Sequence, residues 1–274
     1  MTKWALESFS PFFTAAFRPV IASAIAIPFL WILRVPRIPA QYLKSILYIT
    51  AGTAIIWPVF IALALQRTTS AHVAVIAAIM PLVTAIFSVL KNRNHVSAQF
   101  WLASSCGTLL LIFFAISRGG GSGRDVLADI FTVIAVIASA FCYVEGAELS
   151  KAMPGWQVIS WVVIFSLPVC APASVIIWVG THNHHSLTFH GLAGMFMIGV
   201  FSMYIGFFAW FRGLRDAGTT HGSQVQQLQA IMTLGWAALL LHEKVTPLMV
   251  LIALGVVASV LWALSTRQRV LESS

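Results

Sequence analysis

Apolar residues occur along the chain in long runs that are separated by short polar stretches. Each run is at least 20 residues long, which at about 1.5 Å per residue is enough to cross a hydrocarbon core of about 30 Å. Within lipid such a run must be helical, because each backbone N–H and C=O has to find its partner inside the segment. The pattern predicts nine transmembrane helices, at 11–33, 43–65, 68–90, 98–117, 126–147, 156–179, 189–211, 217–241 and 246–265.

Composition supports the same class. The 274-residue chain is 59% hydrophobic and 9% charged, with a mean hydropathy of +0.90. A soluble protein of this length could not bury so much apolar surface. The formal charge of +8 does not indicate nucleic-acid binding, because the lysines and arginines lie at the ends of the apolar runs rather than in one basic patch. We therefore expect an all-α integral membrane protein that has the lipid bilayer as a partner and binds no nucleic acid.

The positive charges also predict an orientation. Counted on alternate sides of the nine spans, ten lysines and arginines fall on one side, five on the other, and Arg18 lies within a span. The side with more positive charge is normally cytoplasmic. This predicts a multi-pass protein of the cell inner (cytoplasmic) membrane, with a cytoplasmic C-terminus and an external N-terminus of this chain.

The chain resembles itself when it is shifted by 149 residues. This offset aligns residues 65–97 with 214–246 without a gap and lays predicted span on predicted span. We predict a first repeat of four helices at 1–117, a glycine-rich linker at 118–125 and a second repeat of five helices at 126–274. The second repeat begins with the span at 126–147. At this offset the counterpart of that span in the first repeat would precede residue 1. The predicted parent plan thus has five helices per half, and an odd number per half makes the two halves inverted.

Two stretches carry a resemblance to a known family. ALQRTTSAHVAVIAAIMPLVTAIFSVL (64–90) and GLRDAGTTHGSQVQQLQAIMTLGWAALLLHEKVT (213–246) are similar to the helix-pair signatures of EamA-type proteins in the drug/metabolite transporter superfamily. The resemblance implies the ten-helix transporter fold of that family without its first helix. It also implies a secondary transporter that exports or exchanges a small metabolite.

Two charged side chains lie in or beside the predicted spans. Arg18 comes about 10 Å into the first span at 1.5 Å per residue. Charges in lipid usually face the bundle interior. Arg18 is therefore either a structural cation, paired with helix-end carbonyls or with Asp129, or a direct contact to the solute. Glu145 comes about 28 Å along its span, near the cytoplasmic interface. There it either joins a ladder of charges with Glu148 and Lys151 or takes part in proton coupling.

The span at 217–241 begins with an unusual set of polar residues. His221, Gln224 and Gln227 share one helical stripe, and neutral side chains of this kind can bind a zwitterionic or heterocyclic solute. Hydrogen bonding between helices is the alternative. The 149-residue offset pairs His221 with His72, and the inversion should separate the two by about 18 Å along the membrane normal. Both histidines are candidates for solute contact or gating, or for hydrogen bonds that pack helices.

Aromatic residues complete the candidate cavity. Trp57, Tyr204 and Trp210 lie in the spans at 43–65 and 189–211, which line the central cavity in the family that the chain resembles. Aromatic packing or anchoring at the membrane interface is the alternative role for these side chains.

The chain lacks the common motifs of enzymes. It contains no GxxxxGK[ST], HExxH or GxSxG sequence. Three histidines in THNHHS (181–186) cannot easily converge on a metal from one loop, so we expect an external loop there. We expect no enzymatic activity, no cofactor and no metal. The predicted partner is a small-molecule solute, amino acids or related compounds being favoured, and a homodimer is left open. The alternative is a non-transporting membrane subunit or an inactive truncated homologue, because one helix of the family is missing.

Overall fold

The chain is helical in every regular element that the structure describes. The structure is a computed structural model, and it describes residues 2–93, 96–117, 125–180, 187–229, 231–232 and 247–272. The α-helices are α1 (Thr2–Ala5), α2 (Pro11–Ile32), α3 (Ala40–Thr50), α4 (Trp57–Leu65), α5 (Ser70–Ala77), α6 (Met80–Asn92), α7 (Ala98–Ala115), α8 (Val126–Ala152), α9 (Gly155–Gly180), α10 (Phe189–Met197), α11 (Gly206–Ala217), α12 (Thr219–Gly222) and α13 (Pro247–Glu272). Two π-helical segments, Ala51–Ile56 and Ile198–Ile205, join α3 to α4 and α10 to α11, and a 3₁₀ turn (Ser223–Gln227) follows α12.

Several helices begin at a side-chain cap. In each case a hydroxyl oxygen accepts a hydrogen bond from the backbone N–H three residues later, which satisfies one of the donors that a helix start leaves open. The capping residues are Ser10, Thr69, Ser97 and Thr188. All four lie in extended backbone just before an apolar run, so local sequence decides where these spans start.

The described residues include eight helical stretches that are long and apolar enough to cross a membrane. They are Pro11–Ile32, Ala40–Leu65, His72–Asn92, Ala98–Ala115, Val126–Ala152, Gly155–Gly180, Phe189–Ala217 and Pro247–Thr266. The prediction of an all-α multi-pass membrane protein is confirmed. The predicted span at 217–241 is described only in its first part, since positions 230 and 233–246 lie outside the described residues.

The predicted span at 68–90 is confirmed as the stretch His72–Asn92, but its helix is interrupted in the middle. The structure breaks it into α5 and α6 at a turn formed by Ala78 and Ile79. Pro81 explains the break, because it has no N–H for the carbonyl four residues before it and its ring collides with that carbonyl.

The helices form two compact units. The first unit consists of Met1–Ala62 and Phe141–Asp216, and its core is built where α2 packs along α9. Two hydroxyls tie this core together, since Ser23 Oγ donates to the Val163 carbonyl at 2.8 Å and Thr50 Oγ1 donates to the Val162 carbonyl at 3.2 Å. Apolar residues fill the space around these bonds: Ala22, Ala26, Ile46, Ile49, Val158, Ile159 and Met203.

The second unit consists of Leu63–Ala140 and Ala217–Ser274. Its core lies where α7 packs along α13. The buried apolar residues there are Ala78, Leu111, Ile252, Val256 and Val260, with a smaller cluster of Ala85, Phe100, Ala103 and Ala263. Each unit therefore draws helices from both sides of the predicted linker.

Helix starts recur at the predicted offset. Helices α3 and α10 begin at Ala40 and Phe189, helices α4 and α11 at Trp57 and Gly206, helices α5 and α12 at Ser70 and Thr219, and helices α7 and α13 at Ala98 and Pro247. Each pair of starts lies 149 residues apart, and so do the ends of the two π-helical segments at Ile56 and Ile205. These coincidences support a repeat with this period. The assignment of 1–117 and 126–274 as inverted domains stays a prediction.

Candidate functional site

Arg18 is a half-buried cation of the first unit. It lies in α2, about 10 Å from the helix start at Pro11. Its Nε atom is buried and has no hydrogen-bond partner among the described residues, and the side chain lies within electrostatic reach of Tyr143 and Cys170. The carboxylate of Asp129, which was considered as a partner of Arg18, bonds to His72 within the second unit. The alternative pairing with helix-end carbonyls is likewise not seen among the described contacts of Arg18.

Aromatic groups extend this region of the first unit. The ring of Tyr143 in α8 meets the ring of Trp210 edge to face, with centroids 5.6 Å apart. The Trp210 indole Nε1 is buried and has no hydrogen-bond partner among the described residues. Guanidinium and indole N–H groups can only donate. Arg18 and Trp210 therefore each have a buried donor that meets no acceptor among the described residues.

The other two aromatic candidates are placed by the π-helical segments. Tyr204 lies in the second segment and is 8% exposed, and its hydroxyl is 2.6 Å from Ser160 Oγ. Trp57 follows the first segment, where its N–H bonds the Gly52 carbonyl, and its side chain is half-buried. Segments of this kind recur at functional sites because they turn side chains away from the regular helical positions. Tyr204 is held in place by this contact and packs in the buried core of the first unit.

Glu145 is more enclosed than the prediction of an interfacial carboxylate implies. It is 8% exposed and lies inside α8. Within the predicted charge ladder, the Lys151 ammonium donates to Glu148 at 2.7 and 2.8 Å. Glu145 thus belongs to the interior of its unit.

His72 lies in the first turn of α5 and is 8% exposed. Its Nε2 is 2.7 Å from Asp129 Oδ1, on the first turn of α8. One helical turn before each of these residues, Arg67 Nε donates to both oxygens of Asp125 at 3.2 and 3.1 Å. This outer pair keeps the pKa of Asp125 below its usual value, first through the hydrogen bond from Arg67. Two polar pairs therefore join the start of α5 to the start of α8.

The predicted polar stripe of the second unit lies in its interior. Gln224 is 0% and Gln227 is 1% exposed. Both lie in the 3₁₀ turn, where side chains three residues apart eclipse each other. Gln227 Nε2 accordingly donates to Gln224 Oε1 at 2.8 Å, and Gln224 Nε2 donates to the Pro81 carbonyl at 3.3 Å. The amides form a hydrogen-bond chain from the 3₁₀ turn to α6. This is the hydrogen bonding between helices that was the alternative to solute binding.

The far end of this hydrogen-bond chain is an oxygen that has no donor among the described residues. Gln227 Oε1 is buried and lies against Gly107, where a β-carbon would collide with it. Two hydroxyls on the same face of α7, those of Ser104 and Thr108, are also buried and without a partner among the described residues. Other buried hydroxyls instead donate to the carbonyl four residues earlier: Ser23, Thr53, Thr84, Thr132, Ser150, Ser160 and Ser174.

His221 has different neighbours from His72, although both lie in the second unit. Its ring meets Phe100 edge to face at 4.8 Å, and its Nε2 is 3.4 Å from Thr266 Oγ1. Within the described ranges, no three His, Cys, Asp or Glu residues are close enough to hold a metal. The histidine-rich loop at 181–186 lies outside the described residues.

Sequence reasoning missed three contributors to these clusters. Asp129 was considered only as a partner of Arg18, and Tyr143 and Gly107 were not singled out. An acidic residue in the first turn of an apolar span was a usable signal, since such a charge needs a partner. A lone tyrosine or glycine in a membrane span gave no comparable signal.

Comparison with known proteins identifies the family of this chain. The profile of the EamA-like transporter family matches residues 1–117 and 126–265. The uncharacterized transporter YdeK of Bacillus subtilis (strain 168) is 36% identical over 259 residues, covering 94% of this chain and 89% of the relative. A solved crystal structure has the same fold, with a TM-score of 0.77 at 13% identity over 93% of this chain and 89% of the other. With eight membrane-crossing stretches and a match on both sides of its linker, the chain belongs to the EamA-like transporter family.

Proposed function

We propose that this membrane transporter is a secondary transporter that exports or exchanges a small metabolite across the cytoplasmic membrane by alternating access. The recurrence of helix starts at 149-residue intervals supports a repeat architecture of the kind used by such transporters. Each compact unit has its own buried core, which lets each behave as one body. The sequence contains no GxxxxGK[ST] motif, so a solute or ion gradient is the proposed source of energy.

The solute we propose is an amino acid or a related carboxylate. The single observation that carries this choice is the buried Nε of the half-buried Arg18, which finds no acceptor within the described residues. A planar guanidinium matches a carboxylate in geometry and charge. Trp210 adds a second donor without a partner, and the Tyr143 ring packed on it offers an apolar surface. A carboxylate with an organic side chain would satisfy all three groups.

The proposed transporter has its C-terminus in the cytoplasm. Ten lysines and arginines on that side against five on the other support this orientation. A green fluorescent protein fused after Ser274 should therefore fluoresce in bacterial cells, while alkaline phosphatase fused at the same position should stay inactive. Active phosphatase with a dark fluorescent protein would reverse the orientation.

Counterflow in proteoliposomes tests the transport activity. Vesicles containing the purified chain are loaded with unlabelled amino acids at high concentration and diluted into a trace of an equimolar radiolabelled amino-acid mixture. We expect transient accumulation of label above the level of protein-free vesicles, because a carrier exchanges solute without any other energy source. Accumulation equal to that of protein-free vesicles with amino acids, and with nucleobases and cationic drugs tested in the same way, would contradict the proposal.

A further inference from the structure

We propose that four oxygen atoms in the interior of the second unit form a binding site for a sodium ion. The atoms are Oε1 of Gln227 and the hydroxyl oxygens of Ser104, Thr108 and Ser259, and each of these residues is at most 4% exposed. They belong to three elements that pack on one another, α7, the 3₁₀ turn and α13. The inference goes beyond the proposed function, because ion binding can be measured without transport.

The direction of the Gln227 amide is fixed by its hydrogen-bond chain. The Pro81 carbonyl can only accept, so the Gln224 amide turns its Nε2 toward it, at 3.3 Å. Gln224 Oε1 then faces Gln227, whose Nε2 donates to it at 2.8 Å. Gln227 Oε1 is therefore turned toward Gly107 of α7, and no donor among the described residues bonds to it.

A second oxygen reaches the same point of α7. A β-carbon built on Gly107 would collide with both Gln227 Oε1 and Ser259 Oγ, so these two oxygens lie close together against the glycine. Ser259 donates its hydrogen to the Val256 carbonyl at 2.8 Å, which leaves only lone pairs on the side of Gln227. Two acceptors thus lie side by side without a hydrogen between them.

The hydroxyls of Ser104 and Thr108 complete the group. Ser104 lies three residues before Gly107 and four before Thr108, a spacing that places side-chain positions about 5–6 Å apart on one helix face. Neither hydroxyl oxygen has a hydrogen-bond partner among the described residues. Both are therefore available to a ligand that also contacts Gln227 and Ser259.

The chemistry of the four oxygens favours a small monovalent cation. Hard cations take oxygen ligands, and unwound backbone carbonyls coordinate Na⁺ in several transporters, so neutral oxygens suffice for this ion. Helix α7, the 3₁₀ turn and residues 247–266 of α13 contain no Asp or Glu that would balance a divalent charge. The close approach of two oxygens at Gly107 favours sodium over the larger potassium. The prediction of no metal rests on the histidine-rich loop, whereas sodium binds oxygen.

The surroundings of the site make an unpaired oxygen costly. One helical turn beyond the four oxygens, apolar residues of the same helices line a small cavity, among them Leu111, Ile231 and Val256. A buried acceptor without a donor loses its hydration and gains nothing in return. An ion that binds all four oxygens removes this cost and ties α7 to α13, so it should stabilise the folded protein.

Thermal unfolding of the detergent-solubilised protein tests the site. Melting temperatures are compared in the chlorides of sodium, potassium and N-methyl-D-glucamine at equal ionic strength. We expect sodium to raise the melting temperature by about 3 °C or more over N-methyl-D-glucamine, because a ligand that binds only the folded state stabilises it. Equal melting temperatures in the three salts, with no binding of radioactive sodium to the same preparation, would overturn the inference and leave water as the ligand of these oxygens.

A variant with both Ser104→Ala and Thr108→Val locates the effect. It should melt like the wild type in N-methyl-D-glucamine, because the hydroxyls that it removes have no partner among the described residues, and it should lose the sodium response. Ser259→Ala removes an oxygen from the opposite helix and should lose the response as well, even if the double variant folds poorly. Ser174→Ala is the matched control, since this buried hydroxyl of the first unit donates within its own helix.

The control should keep the full sodium response. A full response in folded forms of both site variants would overturn the inference, because sodium would then bind elsewhere. Counterflow without any sodium-dependent stabilisation would remove the site and leave the proposed transport function intact. Sodium-dependent stabilisation of a protein that shows no counterflow would do the reverse.

Discussion

Replacing Gly146 with alanine should lower the melting temperature of the detergent-solubilised protein, whereas Gly213→Ala should not. A β-carbon at Gly146 would collide with the ring of Phe211, which is 0% exposed and cannot swing aside into solvent. Overpacking of this kind costs about 1–3 kcal/mol. We expect a loss near the upper end, because two further ring atoms lie only 2.6 Å from the added carbon. A shift of about 5 °C would correspond to such a loss in a chain of this size.

The reason is that small residues let three helices meet closely. Phe211 in α11 lies against Gly146 of α8, and a β-carbon at Gly155 of α9 would come within 3.2 Å of the Phe208 carbonyl and 3.5 Å of Phe211 Cβ. Lipid provides no hydrophobic force that favours helix association over exposure to acyl chains, so close packing carries more of the stability than in water. A single methyl group that opens this junction therefore has a large effect.

Gly213 provides a control in the same unit. It lies two residues after Phe211 in α11, and no atom lies within 4 Å of a β-carbon built there. Alanine should be neutral or slightly stabilising at this position, because it restricts the unfolded chain and favours the helix. Thermal unfolding of both variants in one detergent, followed by size-exclusion chromatography, measures the difference. Equal melting temperatures for the two variants would show that the junction relaxes around the methyl group.

Local sequence was sufficient to predict the spans and many of their ends. Lipid requires long apolar helices, and a polar cap such as Ser97 or Thr69 marks where the helix begins. The prediction of a repeat also came from the sequence, because the 149-residue offset pairs residues such as His72 and His221. These features depend on neighbours in sequence or on a comparison of the chain with itself.

The pairings inside the candidate sites could not be predicted. His72 and Asp129 are 57 residues apart, and the contact depends on how α5 and α8 pack. The sequence offered Asp129 a choice of partners, and only packing chose among them. The π-helical segments could not be predicted either, since Ala51–Ile56 and Ile198–Ile205 have the apolar composition of the helices around them. Gln224 and Gln227 were found as a polar stripe, but their burial at the inner end of a hydrogen-bond chain depends on the 3₁₀ turn.

Transport should fall by about 10-fold or more when Arg18 is replaced with glutamine, while the melting temperature should stay the same or rise. The loss follows from removing a charge-assisted hydrogen bond to the carboxylate of the solute, which contributes about 1.5–3 kcal/mol. Stability should not fall, because in the solute-free protein the buried Nε of Arg18 has no partner among the described residues. A buried donor of a charged group that has no acceptor opposes folding, and a neutral amide of similar length relieves that cost. Counterflow of the radiolabelled amino-acid mixture and thermal unfolding of the same preparation measure the two effects.

Arg215→Gln is the matched control, because this arginine is bonded within the same unit. Its Nε donates to Asp216 at 2.7 Å and its Nη1 donates to the Ser150 carbonyl at 3.2 Å. Its loss should cost some stability and leave counterflow unchanged, the reverse of the result for Arg18. Arg18→Lys separates charge from shape: a lysine keeps the charge but not the planar fork, so partial recovery would indicate a carboxylate held mainly by charge. If Arg18→Gln lowers the melting temperature and spares transport, Arg18 is a structural cation, and the case for a carboxylate solute fails with it.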